Sequence, residues 1–328
     1  MEQKEPILKV NNLHVHYITD DTDVWAVNGI SFSLCKGDCI GLVGETGAGK
    51  TTTARAIMQL VPDPPGVITE GKIWFQGKNL IYNTEKENEK IRGNGISMIF
   101  QDPMTALNPT MTVGAQLVEV VRKHNKKMKK AEAVQRVKDM LEMIGVNSER
   151  FDDYPHQFSG GMKQRVVITM ALLCTPELLI ADEPTTALDV TIQAQVLEIM
   201  QNLRTKYDMA MILITHDLGV VAEVCDRVAI VYAGEIVEIG SIKEIYLNPR
   251  HPYTVGLFDS IPKIDEDSKK LIPIEGSLPN MATPPTGCYF HPRCKYCQDI
   301  CREVSPTLSG VEGQHQCKCH FPLGKEDT

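Results

Sequence analysis

Apolar and polar positions alternate along two segments near the start of the chain. Residues 7–18 and 26–36 carry an apolar side chain at about every second position, a pattern typical of half-buried antiparallel strands. Unbroken apolar runs follow at residues 39–43, 178–181 and 209–214. Short runs of this kind indicate strands that are buried on both faces, so the pattern predicts two kinds of strand.

Apolar residues recur at helical spacing between residues 112 and 146. The apolar residues from Val113 onward lie on one face of a helix, and those from Val134 onward lie on one face of a second helix. This spacing is typical of amphipathic helices. Residues 123–130, between these two predicted helices, are mostly lysines. The simplest interpretation of this basic stretch is a solvated junction between two helices, and a contact with lipid headgroups or nucleic acid is the alternative.

Composition bounds the class of protein. The chain has 328 residues, a formal net charge of −8 and a pI near 5.6, which disfavours broad nucleic-acid binding through phosphate neutralisation. The longest apolar run, Val166–Cys174, is far too short to span a membrane, and residues 1–5 do not resemble a signal peptide. We therefore expect a cytosolic protein without a transmembrane segment.

A glycine-rich motif, Gly-Glu-Thr-Gly-Ala-Gly-Lys-Thr, occupies residues 44–51 between the apolar run at 39–43 and a helical segment at 52–58. Strand, glycine-rich loop and helix in this order are the context of a P-loop, which cradles the phosphates of a nucleoside triphosphate. The lysine would reach the β- and γ-phosphates, and the next threonine hydroxyl would ligate Mg²⁺. The residues predicted to bind nucleotide here are Gly44, Gly47, Gly49, Lys50, Thr51 and Thr52.

Polar side chains stand at the ends of three further predicted strands. Gln101 follows one of them, and beside a phosphate its amide would coordinate Mg²⁺ or orient water, whereas elsewhere it would be an ordinary turn amide. Asp182 is placed to hold Mg²⁺, and Glu183 to accept a proton from the attacking water. His216 would lie near the γ-phosphate if its strand neighbours that of Glu183. The candidate catalytic residues are Gln101, Glu183 and His216, and the candidate Mg²⁺ ligands are Thr51, Gln101 and Asp182.

A second anion site is predicted at the start of another helix. Ser159 is a favourable N-cap, and Gly160 and Gly161 leave the first backbone N–H groups accessible. A chain that already has one phosphate cradle does not need a second one. The site is therefore predicted to face a triphosphate bound to another molecule, with an ordinary capped helix as the alternative.

The order of these motifs resembles the nucleotide-binding domain of ABC transporters over about residues 5–245. The resemblance implies an α/β P-loop core with an antiparallel β subdomain and a helical subdomain. It implies that Tyr17 stacks on the adenine, although the sequence alone favours core packing, and that Gln101 touches both Mg²⁺ and a membrane partner. Met162 departs from the family, which usually has Gln, but the backbone donors remain. The residues implied to contact ATP across a dimer are Ser159, Gly160, Gly161 and Asp189.

The C-terminal sequence looks like that of ATP-binding subunits of bacterial dipeptide and oligopeptide importers. Residues 248–254 and 287–294 carry this resemblance, and a proline-rich arm at 262–286 lies between them. We expect an ABC domain at 1–245 and an importer-type extension at 246–328. The implied function is ATP hydrolysis that drives peptide import at the cytoplasmic face of the membrane. The implied partners are a second ATPase subunit (a paralogue or a second copy), two transmembrane permease subunits and, indirectly, an external peptide-binding protein.

Other functions stay open at this point. Nickel and other small solutes travel through close relatives of the peptide importers. A soluble ABC ATPase of DNA repair or translation usually carries a long coiled-coil insertion or two cassettes, and this sequence has neither pattern. A regulatory module that holds ATP without turnover would be expected to lack the base, and Glu183 is present.

Six of the ten cysteines fall between Cys288 and Cys319, and in a reducing cytosol so dense a group indicates a metal site rather than disulfides. The close pairs Cys294/Cys297 and Cys317/Cys319 would suit a tetrahedral Zn²⁺ site. The importer resemblance instead implies a [4Fe–4S] cluster, which we favour, and its ligands would be Cys288, Cys294, Cys301 and Cys319. Either metal would supply folding energy to a small Cys-rich C-terminal module.

Overall fold

The computed structural model describes residues 5–185, 190–260 and 273–324. The strands are β1 Leu8–Ile18, β2 Asp23–Leu34, β3 Cys39–Val43, β4 Gly66–Phe75, β5 Lys78–Asn79, β6 Ile96–Ile99, β7 Leu178–Asp182, β8 Ala210–Ile214, β9 Arg227–Tyr232, β10 Glu235–Ser241, β11 Ser309–Glu312 and β12 His315–Cys317. The α-helices are α1 Lys50–Ile57, α2 Glu85–Ile91, α3 Pro103–Ala106, α4 Val113–His124, α5 Lys130–Met143, α6 Gly160–Leu172, α7 Val190–Tyr207, α8 Leu218–Val224, α9 Ile242–Leu247, α10 Pro252–Asp259 and α11 Asp299–Glu303. Short 3₁₀ helices lie at Leu80–Tyr82, Ser148–Asp152, Pro155–Gln157 and His291–Arg293.

The hydrophobic pattern predicts these elements closely. The two alternating segments are β1 and β2, and the unbroken apolar runs are β3, β7 and β8. The amphipathic stretch at 112–146 divides into α4 and α5, and much of the lysine-rich stretch forms the junction between them. The predicted α/β fold class is therefore confirmed.

One compact unit comprises Met1–Ile7, Leu34–Cys39 and Phe75–Thr215. Its strands β6, β7 and β8 are parallel neighbours, in which Asp182 is opposite Ile214. Every residue of these three strands is buried, as expected for parallel strands covered on both faces. Because the strands are parallel and in register, their carboxyl ends meet at one edge of the sheet, as the sequence predicts for the strands that precede Glu183 and His216 if these are neighbours.

Helices α4, α5 and α6 pack against one another in the same unit. The hydroxyl of Thr112 caps α4 by accepting a hydrogen bond from the N–H of Ala115 at 3.3 Å, a typical N-cap contact. The guanidinium of Arg136 donates to the carbonyl of Leu173 at 2.6 and 2.9 Å. This bond satisfies a carbonyl at the C-terminal end of α6, where no intrahelical donor is available. These helices are the helical subdomain predicted above.

The other compact unit comprises Leu8–Ser33, Ile40–Trp74 and His216–Thr328. One of its sheets has the strand order β2-β1-β4. In the other, β3 is parallel to β9, and β9 forms an antiparallel hairpin with β10. The hairpin turns at Ala233 and Gly234, whose φ angles of 48° and 80° are both left-handed, as a tight two-residue hairpin turn requires.

The C-terminal residues add strands to this second sheet, which the sequence does not predict. Strand β12 pairs antiparallel with β10, and β11 pairs with β12. The carboxylate of Glu238 accepts from Nε2 of His315 at 2.6 Å, and it also accepts from the backbone N–H groups of Arg250 and His251 at 2.7 and 2.9 Å. Glu238 and His315 are 0% and 1% exposed, and a buried carboxylate of this kind needs such partners.

The helices of the described residues include none that is both long and apolar enough to cross a membrane. The division of the sequence into an ABC domain and an extension at residue 245 stays a prediction.

Candidate functional site

The glycine-rich loop joins β3 to α1 in a conformation that needs its glycines. Gly47 and Gly49 have φ angles of 86° and 100°, which side chains with a Cβ rarely adopt. A methyl group on Gly44 would lie 2.0 Å from the carbonyl oxygen of Val231, and one on Gly49 would lie 2.4 Å from that of Ala26. The loop can therefore approach the neighbouring backbone only because these positions are glycine.

Lys50, the first residue of α1, lies with its ammonium group over this loop. Its side chain is buried, and Nζ donates to the carbonyl oxygens of Gly44 at 2.6 Å and Glu45 at 2.8 Å. The first turn of α1 begins at the same point, and the N-terminus of a helix attracts anions through its N–H groups and its dipole. A fixed cation and a helix start thus meet at the predicted phosphate position. Thr51 and Thr52 follow in the first turn.

Gln101 and Glu183 meet in the other compact unit. The amide Nε2 of Gln101 donates to Oε2 of Glu183 at 2.7 Å. Glu183 has a left-handed φ of 47°, and its N–H donates to the carbonyl of Ile214 at the end of β8. Asp182, the last residue of β7, is 2% exposed. Two candidate catalytic side chains therefore contact each other directly, a bond that sequence reasoning did not anticipate.

Two further predicted site residues, His216 and Tyr17, lie close to the ends of strands. His216 is exposed and follows the end of β8, the parallel neighbour of β7, by two residues, and its place near a γ-phosphate stays a prediction. Tyr17 is half-buried near the end of β1, with Gly66 close to its ring, and its stacking on adenine stays a prediction. Asp189 lies outside the described residues.

The helix that begins with the Ser-Gly-Gly motif has the predicted cap. The hydroxyl of Ser159 accepts from the N–H of Met162 at 3.4 Å, and α6 begins at Gly160. Ser159 and Gly160 are exposed, so the start of α6 lies at the surface. The amide of Gln164 donates to the carbonyl of Pro184, which ties α6 to the residue after the candidate base.

Comparison with known proteins identifies the family. A family model described as ABC transporter matches residues 27–186, and a model for the C-terminal region of oligopeptide/dipeptide transporters matches residues 237–301. The dipeptide transport ATP-binding protein DppD of Bacillus subtilis is 51% identical over 317 residues, which cover 96% of this chain and 94% of that protein. The chain belongs to the ABC transporter ATP-binding proteins.

Two further matches agree with this ABC assignment. The oligopeptide transport ATP-binding protein OppD of Bacillus subtilis is 50% identical over 95% of this chain and 88% of that protein. A dimeric structure of the ABC transporter cassette MJ0796 matches with a TM-score of 0.65 and 25% identity over 72% of this chain and 98% of that chain. The predicted ABC ATPase fold is confirmed, and the chain is an ATPase of that family.

Four cysteines of the C-terminal module line one cavity. These are Cys288, Cys294, Cys301 and Cys319, the set that the importer resemblance implies. Burial, together with the neighbouring thiols, raises the pKa of Cys288, Cys294 and Cys319 to about 11. Cys297 and Cys317 are not among the lining residues. Within the described ranges, no group of three or more His, Cys, Asp or Glu side chains could hold a metal ion.

The site includes contacts that sequence reasoning missed. The hydroxyl of Tyr253 accepts from the backbone N–H of Glu45 at 3.0 Å, and the guanidinium of Arg293 pairs with the side chain of Glu45. Both Tyr253 and Arg293 lie in the stretches that resemble peptide importers. No local pattern marks a residue as the tertiary partner of a loop two hundred residues away, so no sequence signal could have found them.

We predict that Gly44→Ala weakens nucleotide binding at least about tenfold. The added methyl would collide with the carbonyl of Val231 and force the loop out of its conformation. Equilibrium binding of a fluorescent ATP analogue to the purified chain measures the effect. Gly310→Ala is the matched control, because a methyl there meets nothing within 4 Å, and binding should not change. Equal binding by Gly44→Ala and the parent would contradict the prediction.

Proposed function

We propose that this chain is the ATP-hydrolysing subunit of an importer for dipeptides or oligopeptides, bound to the cytoplasmic face of the membrane. The observation that carries the proposal is the pair formed by Glu183 and Gln101 at the end of a buried strand, in a chain that also has a formed P-loop. Nucleotide binding alone would not need this carboxylate. The family assignment and the names of the two relatives supply the transport context.

ATP binding is assigned to the P-loop. The backbone N–H groups of the loop and of the α1 start would hold the phosphates, and Lys50 would move from the loop carbonyls to the β- and γ-phosphates. Tyr17 would stack on the adenine. The residues that would hold Mg²⁺ are Thr51, Gln101 and Asp182. The ion, when bound, neutralises charge that develops on the phosphate oxygens.

Hydrolysis is assigned to the polar residues at the strand ends. The carboxylate of Glu183 would accept a proton from the attacking water. Gln101 would orient that carboxylate through the bond it already makes, and it would also contact the permease. His216 would stabilise the γ-phosphate as it leaves. Most of the rate gain would come from positioning and from charge stabilisation rather than from covalent chemistry.

A complete site requires a second chain in this proposal. Ser159 and Gly160 are exposed at a helix start that suits an anion, and the matched cassette structure is dimeric. We propose that Ser159, Gly160, Gly161 and Asp189 contact ATP held by the P-loop of a partner ATPase subunit, either a paralogue or a second copy. Two transmembrane permease subunits complete the transporter, and an external peptide-binding protein acts through them.

Peptides are the proposed cargo because the relatives are named for dipeptide and oligopeptide transport and because residues 237–301 match the C-terminal region of such transporters. Co-purification of the membrane subunits, followed by uptake of labelled dipeptides and oligopeptides, tests this assignment. Uptake of nickel without uptake of peptides would overturn it.

A [4Fe–4S] cluster is the proposed cofactor of the C-terminal module. The support is that the four implied thiols line a single cavity, whereas the zinc alternative requires Cys297 and Cys317, which do not. A cluster distributes its four ligands over several iron atoms. A single Zn²⁺ would instead need four sulfurs about 2.3 Å from one ion. The cluster would supply folding energy to the module.

We predict that Glu183→Gln leaves ATP binding intact and lowers turnover by about 10²–10⁴-fold, because a general base is lost while the shape of the side chain is kept. Lys50→Ala should instead weaken nucleotide binding itself. Steady-state hydrolysis and equilibrium binding separate the two effects, with Glu89→Gln on the exposed face of α2 as a control that changes neither. Parent-like turnover in Glu183→Gln would assign the base to another residue.

Hydrolysis is predicted to depend on association. The rate per chain should rise with protein concentration, since a monomer presents the P-loop and the Ser-Gly-Gly helix start without an opposing partner. A dilution series of the purified chain, with the oligomeric state followed by light scattering, measures this dependence. A rate per chain that stays constant at dilutions where only monomer is present would contradict the proposed dimeric site.

We predict that Cys301→Ser removes iron and sulfide from protein purified without oxygen, because a cluster ligand is lost. Cys297→Ser is the matched control, since Cys297 belongs to the zinc set but not to the cavity. Elemental analysis for iron, sulfide and zinc distinguishes the two sets. Zinc that is lost only in Cys297→Ser would reject the cluster in favour of the tetrahedral site.

A further inference from the structure

Glu45, the second residue of the P-loop, is held at three atoms. Its backbone N–H donates to the hydroxyl of Tyr253 at 3.0 Å. Its carbonyl oxygen accepts from Nζ of Lys50 at 2.8 Å. Its carboxylate Oε2 accepts from Nη1 of Arg293 at 3.0 Å. Two of these three partners come from the C-terminal part of the chain, so residues remote in sequence fix the conformation of the phosphate loop.

The guanidinium of Arg293 is itself fixed. Its side chain is 6% exposed, whereas that of Glu45 is 28% exposed. Nε donates to the carbonyl of Glu275 at 2.9 Å, and Nη2 donates to that of Ile274 at 3.3 Å. The guanidinium also lies 5.7 Å from the centre of the Tyr232 ring. An arginine with this many partners has little freedom left to lose, so its bond to Glu45 is formed at small entropic cost.

An aromatic cluster connects this bond to the cysteine cavity. The rings of Tyr232 and Tyr253 are 4.6 Å apart, and that of Phe290 lies 5.2 and 5.5 Å from them. Phe290 also lines the cavity of the four cysteines. Arg293 precedes the cavity-lining Cys294 directly in sequence. One packed cluster and one peptide bond thus join the cavity to Arg293.

We propose that Arg293 is a positioning residue for the P-loop, through which the C-terminal module sets the affinity for ATP. Arg293 acts in two ways. It holds Glu45 and thereby pre-organises the loop for phosphate. It also neutralises the Glu45 carboxylate, whose charge would otherwise repel an anionic ligand on the same loop.

The proposal makes Arg293 and Glu45 act as one unit. Arg293→Ala leaves an uncompensated carboxylate on a phosphate-binding loop, so it should weaken binding of a fluorescent ATP analogue by about three- to tenfold. Glu45→Gln alone removes the repulsive charge and should have a smaller effect. The double variant should bind better than Arg293→Ala, because the charge left unpaired by the arginine loss is then gone. A purely structural role for Arg293 predicts no such recovery.

Reciprocity gives a second readout. If the module sets ATP affinity, ATP must stabilise the module by the same free energy. Hydrogen exchange of the full chain should therefore show slower exchange at residues 291–294 when the ATP analogue is bound, and this protection should be lost in Arg293→Ala at saturating analogue. The matched control is Arg302→Ala, which removes an exposed arginine of the same module that pairs with Asp299.

This role of Arg293 rests on the proposed binding of ATP at the P-loop, and the experiment distinguishes failure of that proposed function from failure of the role of Arg293. If the parent chain fails to bind the analogue, or if Lys50→Ala binds it equally well, the proposed function fails. If the parent binds and Arg293→Ala binds with the same affinity, only the role of Arg293 is overturned. The role of Arg293 is also overturned if Arg302→Ala weakens binding as much as Arg293→Ala does, or if the double variant binds no better than Arg293→Ala.

Arg293→Lys keeps the charge but lacks the planar fork of the guanidinium, so we expect an intermediate affinity for the ATP analogue. This variant tests the contact with Glu45 if the alanine variant does not fold.

Discussion

The close approach of the P-loop backbone to its neighbours is the constraint on which the nucleotide site depends. Gly44 and Gly49 lie where a single methyl group would strike the carbonyls of Val231 and Ala26. These carbonyls belong to backbone that cannot retreat without disturbing β9 and β2. The phosphate cradle is therefore positioned by main-chain contacts, and the side chains around it act on a loop whose path is already set.

The sheet that contains β9 and β10 also organises the C-terminal module. Glu238 is buried on β10 and would be costly there without partners, but the hairpin of β12 brings His315 to it, and the chain before α10 brings two backbone N–H groups. Burying a carboxylate with one histidine and two amides favours one pairing register over shifted registers. His251 also lines the cysteine cavity, as does Cys319 two residues after β12, so the same contacts hold two residues of that cavity.

Sequence reasoning recovers the local features and the chemistry but misses the long-range pairs. The strands and the Ser159 cap follow from periodicity and cap preferences, which act over a few residues. The bonds from Gln101 to Glu183 and from Arg293 to Glu45 join residues 82 and 248 positions apart. Side-chain type and spacing carry no information about such pairs until the sheet order is known. The pairing of β12 with β10 is missed for the same reason, because a short polar strand leaves almost no pattern.

The backbone at Glu183 shows how the candidate base is oriented. A φ of 47° is unfavourable for a residue with a Cβ and costs about 1 kcal/mol or more. It persists because three contacts determine the local path: the Glu183 N–H donates to Ile214, its carboxylate accepts from Gln101, and the carbonyl of Pro184 accepts from Gln164. A carboxylate fixed by its own main chain needs little reorganisation when charge develops near it. Gln164 lies on the helix that Ser159 caps, so hydrogen bonds connect the helix start proposed to face a partner's ATP with the segment that carries the candidate base.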